Sequence, residues 1–158
     1  MAKPPVRPRQ GTISVRWNDV WTMSVPAEQR QRMARIRSKG TTPELLVRGI
    51  VHRLGFRFCL HRRDLPGCPD IVLPRVRKII DVRGCYWHAH VCQRHKKRTV
   101  RREYWGPKLA RNVARDRRTL RLLRSLGWQV HIVWECTTVD TERLTRRLAR
   151  FLGVEISQ

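Results

Sequence analysis

The most constraining feature of this chain is a nine-residue segment, 84–92, that holds two cysteines and two histidines. A third cysteine follows the predicted strand 128–134. Zinc binds four sulfur or nitrogen donors in a tetrahedron, and sites of three cysteines and one histidine are common. The candidate ligands are Cys85, His88, His90, Cys92 and Cys136. The pattern predicts a metal site and leaves either histidine open as the fourth ligand. The alternative is a set of unrelated buried cysteines and exposed histidines.

A histidine of this segment that does not bind the metal would be held rigidly beside a metal-stabilised loop. A general base needs that kind of support, because it must stay within reach of the proton it removes. Cys59 and Cys68 lie in or near predicted strands and are expected to be small core residues.

The charge of the chain indicates a polyanionic partner. Its 35 Lys and Arg residues outnumber 12 Asp and Glu residues, which gives a net charge of +23. Nucleic acids, anionic membranes and acidic proteins would all attract such a chain. A membrane-surface protein would concentrate its charge on one amphipathic helix, whereas here the charge is spread along the whole sequence. Nucleic acid is therefore the expected partner.

Hydropathy excludes two classes of protein. Hydrophobic residues make up 41% of the chain, which is enough for a packed core. Apolar runs do not exceed three residues, so the sequence predicts neither a membrane span nor a signal-peptide core. We expect a cytoplasmic, nucleoid-associated protein of bacterial type, without disulfides and without a membrane partner.

The order of predicted elements indicates an α/β fold. Residues 1–22 are expected to form a basic arm and residues 23–158 a single domain. Helices are predicted over 24–39, 42–54, 107–126 and 141–152, and strands over 56–60, 70–73, 78–82 and 128–134. Thr42 is expected to cap the second helix. Short connections make the central strands antiparallel neighbours, so a mixed sheet with flanking helices is predicted.

Three of the few acidic residues are candidates for magnesium chemistry. Asp70 begins one predicted strand, Asp81 ends the next, and Glu44 lies in the first turn of a helix. Carboxylates from neighbouring elements can converge on Mg²⁺, which prefers oxygen ligands. Glu44 would equally suit the helix dipole, and Asp70 a turn. The pair Pro69-Asp70 followed by Asp81-Val82-Arg83 is typical of nucleases, although the pattern specifies few residues.

Six longer motifs resemble the very short patch repair (Vsr) endonucleases, over roughly residues 28–138. The motifs are Thr42-Pro43-Glu44, Leu65-Pro66-Gly67-Cys68-Pro69-Asp70, the segment 84–92, Glu103-Tyr104-Trp105, the segment 112–118, and Leu126-Gly127-Trp128 with Trp134-Glu135-Cys136. The resemblance implies a restriction-endonuclease-like α-β-β-β-α-β core with a structural zinc site. It also implies nicking of duplex DNA 5′ to the thymine of a G·T mismatch left by deamination of 5-methylcytosine.

The resemblance also implies roles for individual residues. Asp70 would bind the catalytic Mg²⁺, His88 would activate water as the general base, and Glu44 would organise metal-bound water. The structural Zn²⁺ would be held by Cys85, His90, Cys92 and Cys136, which selects His90 by analogy.

Aromatic and basic residues are expected to contact the DNA. By resemblance, Tyr86, Trp87 and Trp105 would insert beside the mismatch, where unstacking a base step costs less; the alternative is that the tryptophans are core residues. Residues 94–124 hold 13 cations and two acids, a net charge of +11. The expected phosphate contacts in this region are Arg111, Asn112, Arg115 and Arg118. Asp116 is expected to pair with a neighbouring arginine, or to hydrogen-bond a group beside the site.

One departure from the family concerns the residues before Gly84. The family usually has histidine or aspartate where this chain has Arg83, which can neither ligate Mg²⁺ nor act as a base near neutral pH. One outcome is that Asp81 serves as a second metal ligand while Arg83 stabilises the transition-state phosphate. The other outcome is a slow or inactive member that only binds. We favour retained activity.

The expected substrate is mismatched double-stranded DNA, bound by a monomer, with mismatch-repair proteins as further partners. Two alternatives remain open at this point. One is a nuclease of the same fold with another DNA specificity, linked to restriction and modification; the other is a zinc-stapled DNA-binding module with weak catalysis.

Overall fold

The computed structural model describes residues 39–92 and 102–155, with side chains from Trp105 onward in the second stretch. The predicted arm at 1–22, the predicted helix before Lys39 and part of the basic region 94–124 lie outside the described residues. The predicted division into arm and domain therefore stays a prediction.

The described elements follow the predicted order. Three helices and four strands are present in this part of the chain: α1 (Thr42–Arg53), β1 (Cys59–Leu60), β2 (Ile71–Leu73), β3 (Lys78–Arg83), α2 (Arg102–Ser125), β4 (Gln129–Trp134) and α3 (Thr141–Leu152). Short 3₁₀ turns occupy Pro74–Val76 and Glu135–Val139. None of the described helices is long and apolar enough to cross a membrane.

The four strands form one sheet in the order β1-β2-β3-β4. The first three strands pair antiparallel, whereas β3 and β4 are parallel, with Asp81 opposite Ile132 and Arg83 opposite Trp134. The predicted α/β class with a mixed sheet is confirmed. The parallel pair requires a crossover, which α2 provides.

Helices cover both faces of this sheet. On one face, α1 and α3 pack against alternate strand residues such as Ile71, Leu73 and Ile80. On the other face, the intervening residues Val72 and Ile79 meet residues of α2 and the start of β4. Side chains alternate along a strand. Asp81 and Arg83, which share the orientation of Ile79, therefore face the side of α2.

Three predicted boundaries were wrong. The first strand is limited to Cys59–Leu60, because Phe56 and Phe58 pack against the core instead of pairing with β2. Thr41, not Thr42, caps α1, since its side chain accepts the N–H of Glu44. Helix α2 begins at Arg102 and contains Pro107, although the pattern predicted a start at the proline.

Candidate active site and metal centre

Four of the predicted ligands meet next to the ends of the parallel strands β3 and β4. The donor atoms of Cys85, His90, Cys92 and Cys136 all lie within 4.8 Å of one another. The register explains the meeting: Arg83 lies opposite Trp134, so the chain two residues further on places Cys85 beside Cys136. The Cys136 N–H is 3.4 Å from Cys85 Sγ. His90, not His88, is the histidine of this cluster.

The His90 ring is fixed by its surroundings. It stacks on Trp134 with ring centroids 4.1 Å apart and an interplanar angle of 10°. Its backbone N–H donates to the Cys85 carbonyl at 3.0 Å, after a turn in which Ala89 has a φ of 51°. Its Nδ1 atom lies 3.7 Å from Cys136 Sγ. The ring is thus oriented by contacts within the protein.

The chemistry of the four donors suits a soft metal ion. Cys85 is fully buried, and burial raises the pKa of its thiol to about 12. A metal ion would replace the thiol protons, because the thiolate is the ligand form. Three sulfurs and one imidazole nitrogen match the donor set of structural zinc sites. The cluster could therefore hold a metal.

The other two cysteines lie apart from this cluster. Cys59 is exposed, so its predicted place in the core was wrong; it lies on the edge strand β1. Cys68 is half-buried, and its Sγ donates to the His61 carbonyl at 3.2 Å.

His88 is paired with a carboxylate from α2. Its Nδ1 atom forms a short hydrogen bond with Oδ2 of Asp116, which is buried. A carboxylate oxygen accepts, so Nδ1 carries the proton of this hydrogen bond; in a neutral imidazole with this tautomer, Nε2 is the basic nitrogen. The predicted arginine contact of Asp116 is also present: Arg115 NH2 lies 3.4 Å from Oδ1.

Arg83 links the His88–Asp116 pair to Asp81, the carboxylate on β3. Its Nε and NH2 atoms both lie 2.8 Å from Oδ2 of Asp81. Its NH1 atom lies 3.8 Å from Oδ2 of Asp116. Arg83 is buried, so these contacts are shielded from solvent. The unusual cation thus lies between two carboxylates.

Asp70 is a half-buried carboxylate beside another carboxylate. Its Oδ2 accepts the Val82 N–H at 2.8 Å. The pKa of Asp70 is raised to about 7, first by burial and then by the nearby Asp81 and Glu44, while the Val82 N–H acts in the opposite direction. A cation at this position would favour the ionised form of Asp70.

Glu44 is held by the start of its own helix. Its carboxylate accepts from the Gly40 N–H at 2.9 Å and from Thr41 Oγ1 at 3.1 Å. Thr41 Oγ1 in turn accepts the Glu44 N–H at 3.5 Å, as the side chain of an N-cap residue does. Glu44 is only 4% exposed. Glu44 is therefore close enough for its charge to act on Asp70, while its own carboxylate oxygens are already hydrogen-bonded.

Two residues of this region escaped the sequence analysis. Arg48 donates to Oε2 of Glu44 at 3.0 Å, and its NH2 also lies 3.0 Å from Nε2 of His61. His61 Nδ1 lies 3.7 Å from Oδ1 of Asp70. Burial and the charge of Arg48 lower the pKa of His61. The i,i+4 spacing could have linked Arg48 to Glu44, but no sequence signal points to His61.

The three predicted DNA-facing aromatic residues form one cluster. Tyr86, Trp87 and Trp105 pack edge to face, with ring centroids 5.0–5.8 Å apart. Trp105 is only 8% exposed, whereas the other two are half-buried. Asn112 Nδ2 donates to the Trp87 carbonyl at 3.1 Å, so it fixes this cluster.

The predicted phosphate-binding arginines share helix α2. Arg111, Arg115 and Arg118 are all exposed. Arg115 extends from the residue next to Asp116, and its side chain is 65% exposed. The basic face of α2 therefore adjoins the His88–Asp116 pair.

Comparisons with known proteins agree with this geometry. The family model described as "DNA mismatch endonuclease Vsr" matches residues 18–94. A type II nicking enzyme from Xanthomonas oryzae pv. oryzae, V.XorIIP, is 45% identical over 127 residues, covering 80% of this chain and 93% of the relative. The DNA mismatch endonuclease Vsr of Escherichia coli K12 is 38% identical over 119 residues, covering 75% and 76% respectively. The type II nicking enzyme V.NmeAIP of Neisseria meningitidis is 32% identical, covering 76% and 86%.

Proposed function

We propose that this chain, which belongs to the Vsr family of DNA mismatch endonucleases and is a DNA endonuclease, nicks one strand of duplex DNA at G·T mismatches with Mg²⁺. The observation that carries the proposal is the hydrogen bond between His88 and Asp116, a carboxylate that Arg83 links to Asp81, which in turn lies close enough to Asp70 to raise its pKa. A general base and oxygen ligands for a cation thus occur together.

His88 is the proposed general base. Asp116 holds the proton on Nδ1, so Nε2 can take a proton from an attacking water molecule. Asp116 also stabilises the imidazolium that forms, in the manner of a carboxylate behind a catalytic histidine.

Asp70 and Asp81 are the proposed magnesium ligands. Their oxygens suit a hard cation, and the pKa of Asp70 is raised by burial and by the negative charge of Asp81 and Glu44, which a bound cation would offset. Bound Mg²⁺ would supply Lewis-acid stabilisation of the phosphate charge. Glu44, which is fixed by its bonds to the start of α1, would organise metal-bound water through the acceptor positions that these bonds leave free.

Arg83 supports retained activity in spite of its departure from the family. Its contacts to half-buried Asp81 and buried Asp116 balance two carboxylates that would otherwise repel each other. We propose that Arg83 keeps these groups in place and stabilises the phosphate at the transition state.

The cysteine-rich cluster is the proposed zinc site. Zn²⁺ bound by Cys85, His90, Cys92 and Cys136 would be structural, because all four donors come from the protein. His88 lies between two of these ligands in the sequence, so the metal would fix the loop that carries the base.

Tyr86, Trp87 and Trp105 are the proposed mismatch sensors. Their rings form an aromatic cluster next to the loop of His88. Insertion of such side chains between base pairs is less costly at a mismatch. Arg111, Arg115 and Arg118 would bind the flanking phosphates.

A second candidate function has support from the relatives. V.XorIIP and V.NmeAIP are named type II nicking enzymes. A nicking enzyme that accompanies restriction and modification would share the site described above and differ in the DNA sequence it selects.

A nicking assay on one labelled duplex, with and without a G·T mismatch, tests the proposal. We expect a single nick in the mismatched duplex when Mg²⁺ is present and no nick without it. Equal nicking of the matched duplex would favour the second candidate. The absence of nicking under every condition would overturn the proposed activity. Asp70→Asn should abolish the nick, while Asp64→Asn, an exposed aspartate of the preceding loop, should retain it.

A further inference from the structure

Helix α3 carries an arginine groove on the side of the molecule away from α2. A cavity of about 490 Å³ is lined by Arg143, Arg146, Arg147 and Arg150, all of them exposed. The opposite side of the same helix packs Leu144, Leu148 and Leu152 into the core. The arginines are therefore held on a fixed helix and do not belong to a mobile tail.

Most of this charge has no partner within the described part of the chain. Glu142 pairs with Arg146 at 3.3 Å, and both side chains are largely exposed. Asp140 is used as the cap of α3, where its side chain accepts the Arg143 N–H at 2.9 Å. Among the described residues, no carboxylate forms an ion pair with the guanidinium of Arg143, Arg147 or Arg150. These three cations repel one another and would be stabilised by an anion.

The spacing of the three arginines suits a nucleic acid backbone. Residues 143, 147 and 150 fall on one helix face and span about 10 Å at 1.5 Å per residue. One DNA strand carries a phosphate for about every 3.4 Å of helix axis, so the row matches about three phosphates. Among the described residues, arginines alone line this groove, and it has no aromatic anchor of the kind that protein interfaces use.

We propose that this arginine groove is a second, non-catalytic contact for the phosphate backbone of duplex DNA. Helices α2 and α3 lie on opposite faces of the sheet, so a straight duplex at the His88–Asp116 pair does not run along α3. The phosphates come either from a bent flank of the same duplex or from a second duplex. The inference rests on the DNA substrate and is independent of mismatch specificity and of Mg²⁺.

Salt-dependent binding by the full-length chain tests the groove. The test variant carries Arg143→Gln, Arg147→Gln and Arg150→Gln, and the matched control carries Arg53→Gln, Arg57→Gln and Arg75→Gln, three exposed arginines that do not line the groove. A G·T duplex of about one helical turn is compared with one of about four turns. A pull-down then measures whether an immobilised duplex captures a second, labelled duplex through the protein.

On the long duplex, or in the pull-down, the test variant should lose more binding than the control. The slope of log K against log salt should become less steep by about 2–3 for the test variant, since each phosphate contact contributes about 0.9. If the test variant binds the long duplex more weakly than the control does, the groove contacts a bent flank of the same duplex. If the test variant differs only in the pull-down, the groove contacts a second duplex. Both variants should bind and nick the one-turn duplex equally.

Equal behaviour of the two variants in both DNA measurements would overturn the proposal. Binding of poly-glutamate through the groove, with neither DNA measurement changed, would overturn it in favour of an acidic protein partner. Nicking of the one-turn duplex is scored separately, so a failure of the proposed activity is recognised independently of the groove.

Discussion

Nδ1 of His88 is hydrogen-bonded to Oδ2 of Asp116, which joins the loop after β3 to the middle of α2. This contact gives the imidazole a defined tautomer and places a basic nitrogen beside the carboxylates of the sheet. Asp116, for which the sequence left open an arginine pair or a hydrogen bond beside the site, makes both contacts and so becomes part of the proposed chemistry.

Asp116→Asn should lower the nicking rate by about 10²–10⁴-fold, the range for losing a general base. The amide can donate to Nδ1, which would move the imidazole proton to Nε2. Single-turnover nicking measures the effect, and DNA affinity should change little. The comparison variant is Arg115→Gln, which removes another contact of the same carboxylate and also a proposed phosphate contact. It should weaken DNA binding but keep the single-turnover rate at saturating protein; a similar loss of rate there would mean that Asp116 acts only through its ion pairs.

Asp70→Asn should stabilise the protein without Mg²⁺ at pH 8 but not at pH 4. The pKa of Asp70 is about 7 in the folded protein, against an ordinary value of 3.8. As the pH rises from 3.8 to about 7, Asp70 loses its proton in the unfolded chain but keeps it in the folded protein, so the free energy of unfolding falls. Asparagine does not titrate, and the variant should gain about 1–3 kcal/mol above pH 7. Urea unfolding at both pH values checks this; an equal difference at both would contradict it.

Arg83→His should decrease nicking, although it restores a residue type common in the family. A histidine at this position, unlike Arg83, cannot contact Asp81 and Asp116 at the same time. The two carboxylates would therefore lose the cation that they share. Initial nicking rates with saturating Mg²⁺ decide the matter. A large gain in rate would show that Arg83 impairs an otherwise ordinary family site.

Cys136→Ser should remove the bound zinc and lower the melting temperature. The remaining donors would hold the ion more weakly, and the link between the ends of β3 and β4 would be lost. Metal content per chain and thermal unfolding are the measurements. Cys59→Ser, on an exposed cysteine, should leave both unchanged. A full zinc complement in the Cys136 variant would remove this residue from the site.

Gly67→Ala should destabilise the loop that precedes Asp70 by about 1–3 kcal/mol. Gly67 has a φ of 77°, and an added Cβ would lie 2.4 Å from Cγ2 of Thr119 on α2. The control is Gly40→Ala, where φ is 64° but, apart from its chain neighbours, no atom of the described residues lies within 4 Å of the added Cβ. Equal losses in the two variants would mean that the contact with α2 contributes nothing.

The sequence predicted the metal cluster well and the surroundings of Asp70 poorly. Cys85 and Cys136 could be paired because each follows a recognisable strand, and neighbouring parallel strands end together. The meeting of His61 and Asp70 depends on the pairing of β1 with β2, where the short strand could not be bounded from the pattern. The His88–Asp116 contact depends on how α2 is rotated against the sheet, which side-chain packing decides.

The register of β3 and β4 also affects the order in which the chain folds during its synthesis. Asp70, Asp81 and His88 all precede residue 92, but Asp116 and Cys136 are contributed by the segment that returns through α2. A nascent chain that has not yet emerged beyond residue 136 therefore carries the carboxylates and the basic charge without a closed metal cluster. During synthesis, attraction to DNA would precede the ability to cut it, because closing such a distant contact is a late step of folding.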